Sequence, residues 1–458
     1  MTTENLLSLD EYTQLVADGA VDTVVCAVPD MYGRLLGKRL TTNSFKTLCL
    51  SGEGIHCGNY FFACDMDMNP VDLPLLTLYG HAWAGDIRLL PDMATMRRVP
   101  WEPNAVIVIC DAFSTVDDSE IEVAPRRVLR RQIERAKAAG LALKAASELE
   151  FFLANAEASR VRDMNYRDIP MTSATHGDYQ LLHSSKDDWF IHQIRTKMPQ
   201  FGIPIESSKT EWGFGQQEVT MDYCDVLEMA DRHVLFKHGV KELAHQNKLT
   251  ASFMAKPQID EIGSSCHIHA SLWSADGEKP IGWDGDGMSD IFGSFLSGQL
   301  ANALDLGLMF APTINSYKRY RPDQFAGTAI AAGEDNRTTA FRIVGHDSSY
   351  RFENRIPGAD VNPYFAYAAM FIAGLNGIDK NLPKPTLFSG NAWYDKDIPV
   401  FTGNFQDSVR LFGQSKVALD SLGELVHSHI LGFYENELRC FVSETVTDWE
   451  RERYYDRI

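Results

Sequence analysis

The chain has 458 residues, enough for a large core and for more than one domain. Hydrophobic residues make up 45% and charged residues 23%, the balance of a soluble globular protein. The net charge is −19 with no long basic run, which argues against nucleic acid and anionic membrane surfaces as partners.

The start, MTTENLLSLDEY, is acidic and lacks a basic segment followed by an apolar run, so it does not read as a signal peptide. Ser8-Leu9-Asp10-Glu11 is a capping box and predicts a helix that stops at Gly19. Residues 21–28 are apolar and β-branched. Asp30-Met31-Tyr32-Gly33 reads as a turn, and residues 35–40 as the returning strand of a hairpin. Within it, Gly33 to Lys38 resembles a phosphate loop but is one residue short, and Arg39 stands where Ser or Thr would hold magnesium. The hairpin reading is preferred.

Residues 105–110 predict a buried strand. The polar run 111–122 predicts a linker. Pro125 suits the first turn of a helix over 126–139, which Gly140 stops. The chain therefore divides near residue 117. Residues 1–117 are small and β-rich. Residues 118–458 mix strands with helices, such as 289–309 and 362–374. Eight cysteines are scattered without a C-x-x-C pair, which suggests small core residues in a reducing cytoplasm. No stretch has 18 consecutive apolar residues, so no membrane span is expected.

Three strand-like segments carry polar side chains two apart: Glu148 and Glu150, His267 and His269, and Glu353 and Arg355. Strand side chains alternate faces, so each pair points one way. A fourth segment offers Glu211 and Glu218 around a glycine turn. Five glutamates sharing one space would repel each other and lose hydration, a conflict that divalent cations resolve. Oxygen-rich donors without thiolate favour Mg²⁺ or Mn²⁺. Taken singly, an E-x-E is usually a solvated strand face. His427-Ser428-His429 shows the hazard. It lies in the helix-like run 420–436, where a spacing of two separates the rings, and it reads as structural.

At these segments the chain resembles the glutamine synthetase family, type I. The resemblance rests on SELEFF, TEWGFGQQE, KPQIDEIGSSCHIHASL, NSYKRYRP, EDNRTTAFRI and RFENRIPGADVNPY, in family order. It implies an α+β chain: a small N-terminal β-grasp domain followed by a large α/β catalytic domain. It also implies double-ring homo-oligomers, dodecamers in the family's usual form, with active sites between neighbours. Glu150, Glu211 and Glu218 match ligands of one Mg²⁺ (or Mn²⁺) ion, and Glu148, His267 and Glu353 ligands of a second. Gly263, Arg319 and Arg355 match glutamate-binding positions. His269, Ser271, Arg337 and Arg342 match groups near the phosphates of ATP.

The departures from the family pattern concern the amine. The D-G-S-S motif that helps bind ammonium is missing, and residues 59–72 read NYFFACDMDMNPVD instead. Phe325 stands where ammonia-using members carry the flap glutamate, and Ile262 replaces an Asn before Gly263. No adenylylation tyrosine is evident near Asn381-Leu382-Pro383. The resemblance thus implies a glutamate–amine ligase that uses ATP as substrate and makes a γ-glutamylamide. Phe61, Phe62 and Phe325 suggest an apolar amine pocket, while Asp65 and Asp67 could instead hold the second ammonium of a diamine. Two other readings stand beside this one: an ordinary glutamine synthetase with a divergent amine loop, and a non-catalytic structural homologue such as the lens members of the family.

Overall fold

The computed structural model describes residues 5–79, 85–401 and 403–458. The leader reading above therefore falls partly outside the described residues. The first helix, Leu9–Ala17, starts at a complete capping box between Ser8 and Glu11. Strands β1 (Thr23–Pro29) and β2 (Leu35–Thr41) form the expected antiparallel hairpin. Asp30 Oδ1 accepts from the amides of Tyr32 and Arg34, and Gly33 takes φ +76°, so this turn suits its residues. Strands β3 (Ile55–Gly58), β4 (Asp86–Pro91), β5 (Arg97–Arg98) and β6 (Ala105–Ser114) complete one sheet in the order β2-β1-β6-β4-β3, with β5 on β6.

The linker expected over 111–122 is shorter. Residues 111–114 continue β6 and pair with β4. Their polar composition hid an alternation in which Ala112 and Ser114 are buried. The helix Pro125–Ala138 follows, with Pro125 in its first turn and Gly140 at φ +82° just beyond its end.

The second sheet carries the remaining strands: β7 (Leu141–Ala154), β8 (Ile205–Thr210), β9 (Gln216–Met221), β10 (Cys224–Asp225), β11 (Thr250–Ser252), β12 (Cys266–Ser274), β13 (Ala329–Glu334), β14 (Thr339–Val344) and β15 (Arg351–Asn354). Its order is β13-β14-β15-β12-β7-β9-β8, with β10 and β11 also on β7. One face is apolar. Leu149, Phe151, Cys266, Ile268, Val219 and Phe352 lie there, fully buried. Helices Val226–Gln246 and Pro363–Asp379 cover it, and Ser147 on this face meets Tyr367 at 2.8 Å and His233 at 3.2 Å. By alternation, Glu148, Glu150, His267, His269, Glu218 and Glu353 share the opposite face.

Two expected helices differ in detail. The run 289–309 is a helix, Asp290–Asn302, then a turn and a short helix, Gly307–Phe310. The run 420–436 is broken at Gly423, φ +80°, between helices Lys416–Leu422 and Glu424–Glu444. His427 and His429 bond separate carbonyls, those of Phe412 and Phe62, as structural histidines. Seven cysteines are buried, Cys440 is partly so, and all are free. No described helix is long and apolar enough to cross a membrane.

Arg126 ties the two sheets together. Its guanidinium, only 3% exposed, bonds Asp92, just beyond β4, at 2.7 Å and Asp111 on β6 at 2.8 Å. It also bonds Asp231 at 2.9 Å on the helix behind the second, and Tyr364 donates to the same aspartate at 2.7 Å. Removing one partner of a buried ion pair leaves the rest uncompensated. Arg126→Ala should destabilise the chain by about 3–5 kcal/mol, read as a lower urea midpoint. A midpoint equal to the unmodified chain's would rule out this role.

Candidate active site

The geometry of the site follows from strand register. His267 pairs with Glu148 across β12 and β7, His269 with Glu353 across β12 and β15, and Glu150 with Glu218 across β7 and β9. Adjacent strands thus lay a row of acids and histidines across one face. At one end Arg342 pairs with Glu353, and at the other Lys209 pairs with Glu218.

Two groups of donor atoms draw together within 4.8 Å: Glu148, His267 and Glu353, and Glu150, Glu218 and His267. The first is the set implied for one cation. The second differs from expectation, because His267 joins Glu150 and Glu218 where Glu211 was expected. Glu211 is held by the ammonium of Lys209, which also bonds Asp178 at 3.0 Å. Its charge still acts on both Glu150 and Glu218.

The titration of these groups shows the strain of the arrangement. Burial, then the charge of Glu211, pushes the Glu150 carboxyl up to about 8. Burial and the charges of Glu148, Glu211 and Glu150 push Glu218 up to about 10. Burial and the charge of Arg355 push His267 down to about 4. Glu148 goes the other way. Burial would raise it, but hydrogen bonds from His267 and His269 outweigh that and hold it low. Glu353, also buried, is held at about 2 by Arg355 and the two histidines.

These groups fit a pair of divalent cations. The donors are carboxylates and one neutral imidazole, and His267 Nε2 is buried without a hydrogen-bond partner. Surrounding bonds aim the ligands. Glu150 Oε2 accepts from Ser265 N at 2.8 Å and from Gln216 Nε2 at 3.0 Å. Arg342 bonds Glu353 at 2.9 Å.

The other residues named from sequence fall around this row. His269 reaches the row itself: its Nε2 lies 2.8 Å from Glu148, and Arg351 Nε donates to its Nδ1 at 3.2 Å. Ser271 lines the same large cavity, of about 1190 Å³, as Glu148, Glu218 and Arg351. Arg337 is exposed. Arg355 bonds Glu353 and donates to the Phe325 carbonyl at 3.2 Å. Arg319 is 1% exposed and donates to the carbonyls of Arg355, Ile356 and Pro357 at 2.8–3.0 Å. Its Cγ would lie 2.7 Å from a Cβ at position 263, so Gly263 permits a close approach that any side chain would block.

Phe325 borders a second cavity, of about 410 Å³, and packs edge-on against Trp393 at 5.4 Å. Asp65 and Asp67 line neither of these cavities. The Asp65 carboxylate closes its own loop through Asp67 N and Asn69 N, and Asp67 is exposed. Phe62 is fully buried and Phe61 partly so.

Sequence reasoning missed Lys209, Gln216 and Arg351. Gln216 stands two residues before Glu218 on the same strand face, and Lys209 lies opposite Glu218. The alternation that singled out the glutamates was also the signal for these.

Residues 122–454 match the family model described as glutamine synthetase, catalytic domain. The chain is 40% identical over 452 residues to gamma-glutamylethanolamide synthetase GlnA4 of Streptomyces coelicolor, covering 99% of this chain and 96% of that one. It is 31% identical over 466 aligned positions to glutamate–isopropylamine ligase of a Pseudomonas species, covering 100% of both. A solved structure of GmaS without ligand aligns with a TM-score of 0.83 at 26% identity, over 98% of this chain and 100% of that one.

The raised acids predict a pH signature. Between the ordinary value of 4.5 and the folded values of about 8 and 10, the folded chain binds more protons at Glu150 and Glu218 than the unfolded chain does. The stability this gives at acid pH is therefore lost as pH rises through that window. In EDTA the melting temperature should fall from about pH 6 to 9. The increment from saturating Mg²⁺ or Mn²⁺ should grow over the same range, because the cation takes the place of protons. A metal increment that does not change with pH would contradict the assignment.

Proposed function

The chain belongs to the glutamine synthetase family, and we propose that it uses ATP to join the glutamate γ-carboxylate to a small organic amine, giving a γ-glutamylamide. The observation that carries this reading is an aromatic flap, Phe325 on Trp393, beside an intact row of acids and histidines. The row retains what phosphoryl transfer needs. The flap has exchanged an acid that suits ammonium for a ring that suits carbon. The amines named for the two relatives, ethanolamine and isopropylamine, set the size class.

In this reading a γ-carboxylate oxygen attacks the γ-phosphorus of ATP, and ADP leaves. The amine nitrogen then attacks the carbonyl carbon of γ-glutamyl phosphate, and phosphate leaves. Two Mg²⁺ or Mn²⁺ ions, held by Glu148, His267 and Glu353 and by Glu150, Glu218 and Glu211, would neutralise charge on the transferring group. Arg342, Arg337, His269 and Ser271 would meet the phosphates. Arg355, with Gly263 and the wall that Arg319 braces, would receive glutamate, since a guanidinium fork matches a carboxylate. We place the domain division near residue 117 and read the protein as a cytoplasmic double-ring homo-oligomer, a dodecamer as is usual in the family. In such an assembly the Asp65 loop would serve a neighbouring subunit's site.

His267→Ala and Glu150→Ala should each abolish amine-dependent phosphate release while leaving the assembly intact, because losing a ligand exposes the repulsion among the others. Full activity in both would remove the metal assignment. The flap makes a separate prediction. Burying three carbons contributes roughly 2.4 kcal/mol at about 0.8 kcal/mol each, about a 60-fold preference for an alkylamine. Phe325→Glu should shift the ratio of kcat/KM values toward ammonia. If the unmodified enzyme already uses ammonia as well as any amine tested, the ordinary synthetase takes the place of this reading.

A further inference from the structure

A cation of the chain's own stands at one end of the row of acids. Lys209 lies on β8 directly opposite Glu218, so its side chain shares the face of the glutamates. It lines the same large cavity as Glu148 and Glu218. Its ammonium has three partners. It bonds Oε1 of Glu211, lies 3.0 Å from Oδ1 of Asp178 and sits 4.2 Å over the ring of Tyr179. The Lys209 side chain is 20% exposed and that of Glu211 14%, so this ion pair is largely withdrawn from water.

The surroundings form a built cradle. Thr210, next to Lys209, fastens the loop that carries Asp178 and Tyr179. Its hydroxyl donates to the Gly177 carbonyl at 2.7 Å, and its own carbonyl accepts from Tyr179 N at 3.4 Å. Tyr179 takes φ +58°, a conformation costly for a residue other than glycine, and in it the ring faces the ammonium. Both oxygens of Glu211 are engaged. Oε1 meets Lys209, and Oε2 accepts from Trp212 N at 3.2 Å. Glu211 stands outside both groups of clustered donor atoms.

We propose that Lys209 is a positioning residue of the second cation site: a tethered ammonium that holds Glu211 out of the site until a divalent ion displaces it. The inference rests on the two-cation part of the reading above. An ion entering between Glu150 and Glu218 finds Glu211 already paired with a monovalent charge. To recruit that carboxylate it must break the pair. Asp178 and the Tyr179 ring remain as partners of the displaced ammonium, so its charge is not stranded. The competition lowers the affinity of this site for its ion. The other site, at Glu148, His267 and Glu353, has no such competitor from Lys209.

Manganese binding separates this role from a structural one. Free Mn²⁺ is counted by its electron paramagnetic resonance signal as the protein is titrated without ATP or amine. In Lys209→Met one of the two dissociation constants should fall about tenfold, the gain from removing one competing charge pair. The other should change by less than about threefold. Lys209→Arg, which keeps the charge, should show no such gain. Asp178→Asn should act in the opposite sense and weaken binding, because the displaced ammonium loses its carboxylate. In the Lys209→Met background the same change at Asp178 should have little effect. Unchanged or weaker binding in Lys209→Met overturns the proposal, as does an Asp178→Asn effect that is equal with and without Lys209. Should Lys209→Met not assemble, Lys209→Gln is read by the same criteria. An unmodified protein that binds fewer than two Mn²⁺ per subunit overturns the two-cation reading itself.

Discussion

Mutual repulsion among carboxylates is the constraint on which this structure turns. Glu148 and Glu150 on β7, Glu218 on β9 and Glu353 on β15 share one sheet face, with His267 on β12 between them and the charge of Glu211 beside them. No flexible surface would hold them there. The β-sheet does so because its opposite face is buried under helices, which removes any freedom for the strands to slip. Val219, Leu149, Ile268 and Phe352 supply that anchorage. Apolar burial on one face thus bears the cost of charge crowding on the other. The cluster is divided in its titration, with Glu148 and Glu353 held ionised by histidine and arginine while Glu150 and Glu218 are pushed toward their neutral forms. That division leaves two carboxyls poised to exchange a proton for a cation.

Much of the site was legible because strand periodicity needs only two residues to show itself. Glu148 with Glu150 and His267 with His269 declare a shared face without any knowledge of neighbours. Register is another matter. It sets which glutamate faces which histidine, and it depends on pairings over a hundred residues apart, such as His267 with Glu148. The approach of His267 to Glu150 and Glu218 as well as to Glu148 and Glu353 is of this kind. Lys209 lies close enough to capture Glu211, a competition between neighbouring side chains that spacing does not reveal.

The fold shows the same divide. Local signals such as the capping box at Ser8, the turn at Asp30 and the proline at 125 each appear where their chemistry requires. The linker was overdrawn because Asp111 reads as polar loop. In the fold it is a strand residue whose charge is met by Arg126 at 2.8 Å and Arg130 at 2.7 Å. Tertiary pairing overrode composition there. Asp65 and Asp67 line neither cavity for a different reason: their loop packs by Arg34, which donates to the Asp65 and Met66 carbonyls.

The flap extends the argument from charge to shape. Asp323 and Phe325 both adopt positive φ, +63° and +52°. For residues other than glycine this costs roughly 1–2 kcal/mol each, so something must hold the turn. Phe325 gains an edge-on ring contact with Trp393, worth about 0.5–1.5 kcal/mol beyond area, and its carbonyl receives Arg355. Arg355 in turn bonds Glu353, whose carboxylate reaches His267 at 3.4 Å. A continuous chain of contacts therefore runs from the ring that borders the smaller cavity to an acid in the row of donors. Arg355 meets residue 325 through its backbone carbonyl, so that bond does not depend on which side chain stands there.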